Sequence, residues 1–346
     1  MSQKSDELFM SLALKEAWSK ALLALPNPTV SALVLSKNGE ILSIQTHSLA
    51  GSAHAEVLAL KEAFKKLKKT DAKESQKLDS MSPIELYNFL LNNHDGIFNT
   101  TQIFITLEPC TKMGKTPPCA NLLQHIKPSR IIFGAKDSSH NGSGGQMLRN
   151  CGLNVTESVL EKECLDLIIP FNCLQKYGSF NLFKLAMRLN GDYKSRNISS
   201  KEAQIYIHNL RQISNNIIIS GKTLESDNPL LDARFATPPY KNTALPDIKI
   251  LSKRLTIDDL KDKNISANSR NINLYSEIPN LRSFSGFNII EGGFNLLCEL
   301  RNQLDMIMIQ IAPNALNSAH SELKSSLHFR QLSSTNHDET IFIWLC

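Results

Sequence analysis

No stretch of this 346-residue chain approaches the roughly 18 to 20 consecutive apolar residues that a bilayer-spanning helix needs, so no membrane partnership is expected. The opening MSQKSDELFMSLALKEAW intersperses acidic residues and lacks an uninterrupted apolar h-region, which argues against a secretory signal and for the cytoplasm. A disulfide framework is missing as well: seven cysteines, an odd number scattered along the chain, fit a reducing compartment. Nor is there a basic run interleaved with aromatics. The net charge of +5, from 38 basic and 33 acidic residues, is too dispersed to mark a nucleic-acid groove, although it suits a small anionic substrate. What remains is an ordinary globular composition, 42% hydrophobic and 21% charged, at a length that favours two domains.

Against that plain background one stretch stands out, TLEPCTKMGKTPPC at 106–119. Its two cysteines, Cys110 and Cys119, each follow a proline and are separated by eight residues, and far upstream His54 lies two residues before Glu56. Two thiolates and one imidazole leave a fourth tetrahedral position for water, the arrangement that separates catalytic from structural zinc. Bound zinc lowers the pKa of that water toward neutrality. Glu56, too close to His54 to be a natural fourth ligand, is suited to carry protons between the water and a leaving ammonia, which is the H-x-E with P-C-x(n)-C pattern of zinc deaminases. A folded-in thiol pair or a closed zinc knot would use the same three ligands, but neither calls for the H-x-E or for both prolines.

The surrounding pattern alternates strand and helix. Apolar residues at helical spacing predict a helix over 6–24, broken by Pro26-Asn27-Pro28, then a hairpin of strands 30–35 and 40–45 turned at Lys37-Asn38-Gly39. A helix over 54–66 starts with His54 and Glu56. The polar segment 68–99 reads as a surface insertion, with one helix signalled by the capping box at Ser82-Pro83-Ile84-Glu85. Strand 101–107 delivers Cys110, helix 119–126 begins at Cys119, and strand 130–135, helix 145–151, strand 153–156 and helix 160–175 complete an α/β layer with its site at the carboxyl ends of strands. After a boundary near Tyr177-Gly178-Ser179, a second alternation follows: strands at 182–186, 216–220, 249–251, 272–275, 287–290, 306–311 and 341–345, and helices at 200–210 and 293–303. The expected domains are thus 1–177 and 178–346.

HAEVLAL at 54–60 and TLEPCTKMGKTPPC resemble the bifunctional riboflavin-biosynthesis deaminase/reductase family, whose eight-residue gap differs from the two-residue gap usual in cytidine and tRNA-adenosine deaminases. The resemblance runs on through Pro26-Asn27-Pro28, Lys184-Leu185-Ala186, Asn190-Gly191, Asp227-Asn228-Pro229 and Glu291-Gly292-Gly293. It implies a cytidine-deaminase-like three-layer domain followed by a dihydrofolate-reductase-like α/β domain. The first removes an amino group hydrolytically from a diaminopyrimidine ribosyl phosphate, and the second reduces the ribosyl group to ribityl with NADPH. By motif, His54, Cys110 and Cys119 hold zinc, Glu56 shuttles protons, and Asn27, His47 and Lys115 contact the pyrimidine or its ribosyl phosphate. In the second half the resemblance assigns Arg211 and Arg234 to the substrate phosphate. It assigns Lys184, Thr223, Asp227, Glu291, Gly292 and Gly293 to the cofactor, with the glycines letting a pyrophosphate approach. A homo-oligomer, dimer or tetramer, and no nucleic-acid partner are also implied.

Five positions depart from the family pattern, Arg188 among them. Lys112 replaces the histidine two residues after the first cysteine, Asn190 stands in Arg188-Leu189-Asn190-Gly191 where Ser-Leu-Asp-Gly is usual, Asn197 replaces a tryptophan, and Asn228 replaces the second acid of Asp-Asp-Pro. An amide cannot take up a proton or pair with a cation, so a weakened reductase is expected if Asn228 lies beside the nicotinamide. Alternatives to the two-step enzyme are a deaminase carrying a degenerate second half, and a nucleic-acid or nucleoside deaminase.

Overall fold

The computed structural model describes residues 2–137, 143–194, 198–242, 244–267, 269–316 and 326–346; Asn197 lies outside them. The chain divides into two compact units, Met1–Ile168 and Ile169–Cys346. Among the described residues no helix is long and apolar enough to cross a membrane.

In the first unit, α1 (Gln3–Ser19) buries Met10, Ala13, Leu14, Ala17 and Trp18, a stripe at three- and four-residue spacing. It stops five residues short of the expected end. Leu22 takes a positive φ of 69°, so the apolar run 21–24, although buried, continues as turns. The hairpin follows as β1 (Val30–Leu35) and β2 (Ile41–His47), then α2 (Ala55–Lys68), α3 (Ala72–Ser80), α4 (Pro83–Asn93), β3 (Gln102–Leu107), α5 (Cys119–Ile126), β4 (Arg130–Ala135), α6 (Gly144–Asn150), β5 (Val155–Thr156) and α7 (Glu161–Leu167). The sheet has the order β2-β1-β3-β4-β5, with β1 antiparallel to both neighbours and β3, β4 and β5 parallel.

Strand alternation fixes the layers. Ser43 of β2 bonds the Ala59 carbonyl of α2 at 2.7 Å, so that face of the sheet looks onto α2. The next residue, Ile44, points the other way. It pairs with Leu33, which pairs with Phe104, whose ring meets Phe9 of α1 at 5.5 Å. Helix, sheet and helix therefore form three layers. Asp6 of α1, only 3% exposed, holds Arg130 of β4 through both carboxylate oxygens, at 2.8 and 2.6 Å.

The 68–99 segment contains two helices rather than one. The capping box at Ser82 and Glu85 starts α4, and α3 precedes it with Asp71 as its cap. The expected helix 160–175 is also two, α7 and α8 (Ile169–Tyr177). Pro170 has no N–H to continue a helix and is tolerated only in the first turn of a new one.

The second unit builds its sheet from β6 (Ser179–Arg188), β7 (Asn216–Ser220), β8 (Asp247–Leu251), β9 (Ile272–Tyr275), β10 (Gly286–Glu291), β11 (Met306–Ala312), β12 (Gln331–His337) and β13 (Thr340–Leu345), with helices α9 (Lys201–Ile213), α10 (Gly221–Asp227) and α11 (Phe294–Leu300). The order is β12-β13-β11-β6-β10-β7-β8-β9; the run from β11 to β9 is parallel, and β13 and β12 are antiparallel additions at one edge. Ile218 joins one hydrophobic cluster with Phe183, Ile290 and Leu297, while Ile217 and Ile219 join a second with Ile248, Ile250 and Leu224, so both faces are covered. Through the middle of the sheet Asn216 donates to Asn288 at 2.8 Å and Asn288 donates to Asn181 at 2.9 Å. These three amides lie side by side on β7, β10 and β6.

In the second unit a strand and an α-helix were not anticipated from sequence. Strand β12, QLSSTNH, is polar and buries only Thr335, as an edge strand is allowed to do. Helix α10 is a single seven-residue segment, capped by Ser220 and closed by Asn228 in the left-handed region at φ 40°.

Candidate active sites

In the first unit, three chain segments converge at the carboxyl end of β3. His54 is the N-cap residue of α2 and uses no side-chain atom for capping, which leaves its ring free to face the loop after β3. Cys110 sits in that loop, and Cys119 is the first residue of α5. His54 Nδ1 is 3.5 Å from Cys110 Sγ and 3.4 Å from Cys119 Sγ, and all three potential ligand atoms lie within 4.8 Å of one another. The amide of Cys119 donates to Cys110 Sγ at 3.3 Å, and the amide of Ala120 to the Cys110 carbonyl at 3.1 Å. Two soft thiols and an imidazole in this spacing suit zinc. All seven cysteines of the chain are free thiols.

The electrostatics separate the two thiols. A hydrogen bond from Cys119, aided by His54, brings Cys110 down to about 4, whereas the same bond and complete burial push Cys119 well up. Glu56, 4% exposed on the first turn of α2, is raised to about 7 by burial and by the charge of Cys110. A carboxyl held near neutrality serves both as proton acceptor and as proton donor. For His54, burial is outweighed by the Cys110 hydrogen bond and by Glu56, and its pKa rises.

The remaining residues predicted for this site surround the triad. His47 is buried, which lowers its pKa, and the neutral ring that donates Nδ1–H to the Ala53 carbonyl at 3.0 Å can accept the Asn27 amide at Nε2, 3.2 Å away. Its ring lies 5.5 Å from that of His54. Lys115 is exposed on the 110–118 loop, with its stem against Gly51. Lys112 is exposed on the same loop.

Two further residues escaped the sequence reading. Thr116 Oγ1 meets His54 Nε2 at 3.0 Å, so it orients the imidazole from the side away from the thiols; outer partners of this kind set tautomer and basicity. Glu108 accepts from the amides of Gly145 (2.7 Å) and Asp137 (3.2 Å) and anchors the loop where it leaves β3. A Cβ on Gly144 would come within 2.0 Å of the Pro109 carbonyl, so only glycine lets α6 approach that loop. The one available signal was position: both residues lie inside the 106–119 stretch.

In the second unit a cleft of about 520 Å³ opens at the carboxyl ends of the adjacent parallel strands β6, β10 and β7. Such ends are where ligands bind in open α/β sheets. Lys184, Thr223, Asp227, Glu291, Gly292 and Gly293 all line it, together with Lys194, Lys222 and Ser220. A Cβ on Gly293 would fall 2.3 Å from the Tyr193 ring, which is how the cleft wall closes there. Arg211 and Arg234 are not among the described residues that line the cleft. Arg211 spends its fork on Glu291, with two bonds of 2.8 Å, and its other nitrogen on the Asp232 carbonyl. Arg234 is half exposed and pairs with Asp232 at 2.8 Å. Although burial opposes it, Arg211 and then Lys184 hold the Glu291 carboxyl at about 2, and burial lowers the pKa of Lys184.

Asn228 is likewise outside the cleft lining. Its side-chain oxygen accepts from the Asn264 amide at 2.9 Å, and its φ of 40° is one that asparagine tolerates better than most residues. The condition on which a weakened reductase is expected, Asn228 beside the nicotinamide, thus finds no support in the cleft lining. Asn190 donates to the Leu316 carbonyl, in a turn where Gly191 takes a φ of 80°.

Residues 3–135 match the family described as the cytidine and deoxycytidylate deaminase zinc-binding region. The chain is 26% identical to riboflavin biosynthesis protein RibD of Aquifex aeolicus (strain VF5), over 99% of each sequence. With RibD of Corynebacterium ammoniagenes it shares 26% identity over 93% of this chain and 90% of that one. The match to RibD of Escherichia coli (strain K12), 28% identical, spans 69% of this chain and 59% of that protein. Among solved structures, the diaminohydroxyphosphoribosylaminopyrimidine deaminase/5-amino-6-(5-phosphoribosylamino)uracil reductase of Thermotoga maritima gives a TM-score of 0.62 at 21% identity over 99% of each chain. Acinetobacter baumannii RibD, form 1, gives 0.60 at 21% identity and the same coverage. The chain thus shares its fold with both.

Proposed function

We propose that this chain, a full-length homologue of the RibD proteins, carries out two consecutive steps of riboflavin biosynthesis: zinc-dependent deamination of a diaminopyrimidine ribosyl phosphate, then NADPH-dependent reduction of its ribosyl group to ribityl. The observation that carries the reading is the convergence of His54, Cys110 and Cys119 beside a buried Glu56, in a chain that aligns over nearly its whole length with the RibD proteins of Aquifex aeolicus and Corynebacterium ammoniagenes.

His54 through Nδ1, Cys110 and Cys119 would hold the zinc, with Thr116 fixing the imidazole from behind. When bound, zinc supplies the Lewis acidity that makes a water nucleophilic near neutral pH. The Glu56 carboxylate takes one proton from the attacking water and passes it to the amino nitrogen, which departs as ammonia, while the water's other proton ends on the adjacent ring nitrogen and its oxygen becomes the ring carbonyl. Asn27, oriented by His47, reads an edge of the pyrimidine, and Lys115 offers an ammonium to the phosphate. Reduced thiolate ligands suit the cytoplasm.

In the second unit the cleft's volume suits a cofactor-sized ligand. Its cations Lys184, Lys194 and Lys222 suit phosphate groups, and Thr223, Asp227, Glu291, Gly292 and Gly293 complete the proposed contacts. NADPH, when bound, supplies the hydride. Arg211 acts from outside the cleft, by holding Glu291 ionised and in place. A silent second half is not favoured, since RibD relatives align with this chain through both halves and Asn228, one of the substitutions that suggest it, does not line the cleft.

The test is incubation of the full-length protein with the diaminopyrimidine ribosyl phosphate, with and without NADPH, identifying products by mass. Loss of one amino group without NADPH, and a further gain of two hydrogens with it, are expected. An unchanged substrate in both arms would sink the proposal, and deamination without reduction would remove its second half.

A further inference from the structure

The inserted segment between α2 and β3 reaches the zinc loop. Its helix α4 buries Leu86, Tyr87 and Leu90. On one side Phe89 packs edge-on against Phe64 of α2, with ring centroids 5.3 Å apart and planes at 79°. On the other side the Tyr87 hydroxyl donates to the Pro118 carbonyl at 3.1 Å and accepts from the Asn121 side chain, also at 3.1 Å. Pro118 is the N-cap residue of α5, makes no side-chain cap and immediately precedes Cys119. One helix therefore holds both helices that present ligands at their first turns, α2 after His54 and α5 at Cys119. The phenol is the polar link in this arrangement, on a residue only 3% exposed. Without its hydroxyl, the Pro118 carbonyl and the Asn121 amide lose a shared partner.

We infer that Tyr87 is a positioning residue of the deaminase site: through Pro118 it fixes the start of α5, and so the approach of Cys119 to His54 and to the metal. The inference rests on reading His54, Cys110 and Cys119 as zinc ligands. Residues that orient metal ligands from outside typically change metal affinity or activity by 10- to 100-fold when mutated.

The experiment uses full-length, zinc-loaded protein and follows zinc release to a chromogenic chelator well below the melting transition, alongside kcat and KM for deamination. Tyr87→Phe is expected to release zinc about tenfold faster and to lose kcat with KM nearly unchanged. Leu90→Ala, a change in the same helix with no polar contact, is expected to lower the melting temperature while zinc release stays at the wild-type rate. Asn121→Ala, which removes only the bond to the phenol, should speed release in the same direction, and it carries the test if Tyr87→Phe does not fold. Wild-type release in the Tyr87 and Asn121 variants, or equal acceleration by Leu90→Ala, overturns the positioning role and leaves the zinc reading intact. A wild-type protein that retains no zinc overturns both.

Discussion

The two sites of this chain depend on residue identity to different degrees. At the triad of the first unit, coordination chemistry admits few side chains, and each of His54, Cys110 and Cys119 contributes one ligand atom to a group within 4.8 Å. At the cleft of the second unit the lining mixes glycines, hydroxyls and cations with broadly interchangeable chemistry. Its one buried carboxylate, Glu291, is held by Arg211 from outside the lining. A site built on metal ligation is therefore conspicuous in sequence, and one built on shape and diffuse charge is not.

The largest effects should break or uphold this contrast at the triad. Glu56→Gln is expected to cut ammonia release by about 10²–10⁴-fold while zinc, measured by metal analysis, stays bound; release within tenfold of wild type would exclude Glu56 as the proton carrier. Cys110→Ser should abolish zinc retention and deamination and leave NADPH oxidation on the deaminated intermediate intact. Loss of both activities together would show that the two sites are not separable.

In the second unit the expected effects are on stability. Arg211→Ala strips the buried Glu291 carboxylate of its two hydrogen bonds and leaves it only the charge of Lys184, and chemical denaturation should report a loss of about 3–5 kcal/mol, against no more than about 0.5 kcal/mol for the half-exposed Arg234→Ala. Similar losses for both would put Arg234 in an equally supporting role. The pH dependence sharpens the point. The carboxyl of Glu291 is lowered from 4.5 to about 2 in the folded protein. A lowered carboxyl contributes stability that is present above its unfolded pKa and lost as pH falls through the folded one. The advantage of wild type over Glu291→Gln, on the order of 3 kcal/mol, should therefore hold at neutral pH and close between pH 4.5 and 2. A gap that persists at the acid end would mean that the pair is not electrostatic. The smallest effect is expected for Asn228→Asp, which should leave kcat and KM for reduction within about twofold; a large gain in reductase rate would bring position 228 back to the hydride.

Much of the fold was legible because its strands are short apolar runs between turn signals. β1, β4, β7 and β9 have the bounds that the sequence predicts, and so does α5, which starts at a proline-cysteine step. Elements without such marks were lost: polar β12 has no apolar alternation, and seven-residue α10 is too short for helical periodicity to declare itself. The end of α1 was misjudged because buried turn residues at 21–24 look like helix. Among site residues, those chosen by type and spacing are brought together in the first unit. Arg211 and Arg234 are assigned to a phosphate by the family resemblance, and nothing in the sequence signals their pairing with Glu291 and Asp232. Tyr87 was invisible for a related reason, since its role depends on how an insertion folds back.

The row of asparagines across β7, β10 and β6 makes the centre of the second sheet a combination lock. A strand that slipped by one residue would still bury isoleucines, because both faces are apolar, and hydrophobicity alone would tolerate the error. The slip would, however, strand the amides of Asn216, Asn288 and Asn181 in a dry interior, at roughly 1–3 kcal/mol for each buried group left unsatisfied. Misthreaded sheets are thereby penalised at the step where the three strands meet, and native-state hydrogen exchange should find β6, β10 and β7 opening together as one unit.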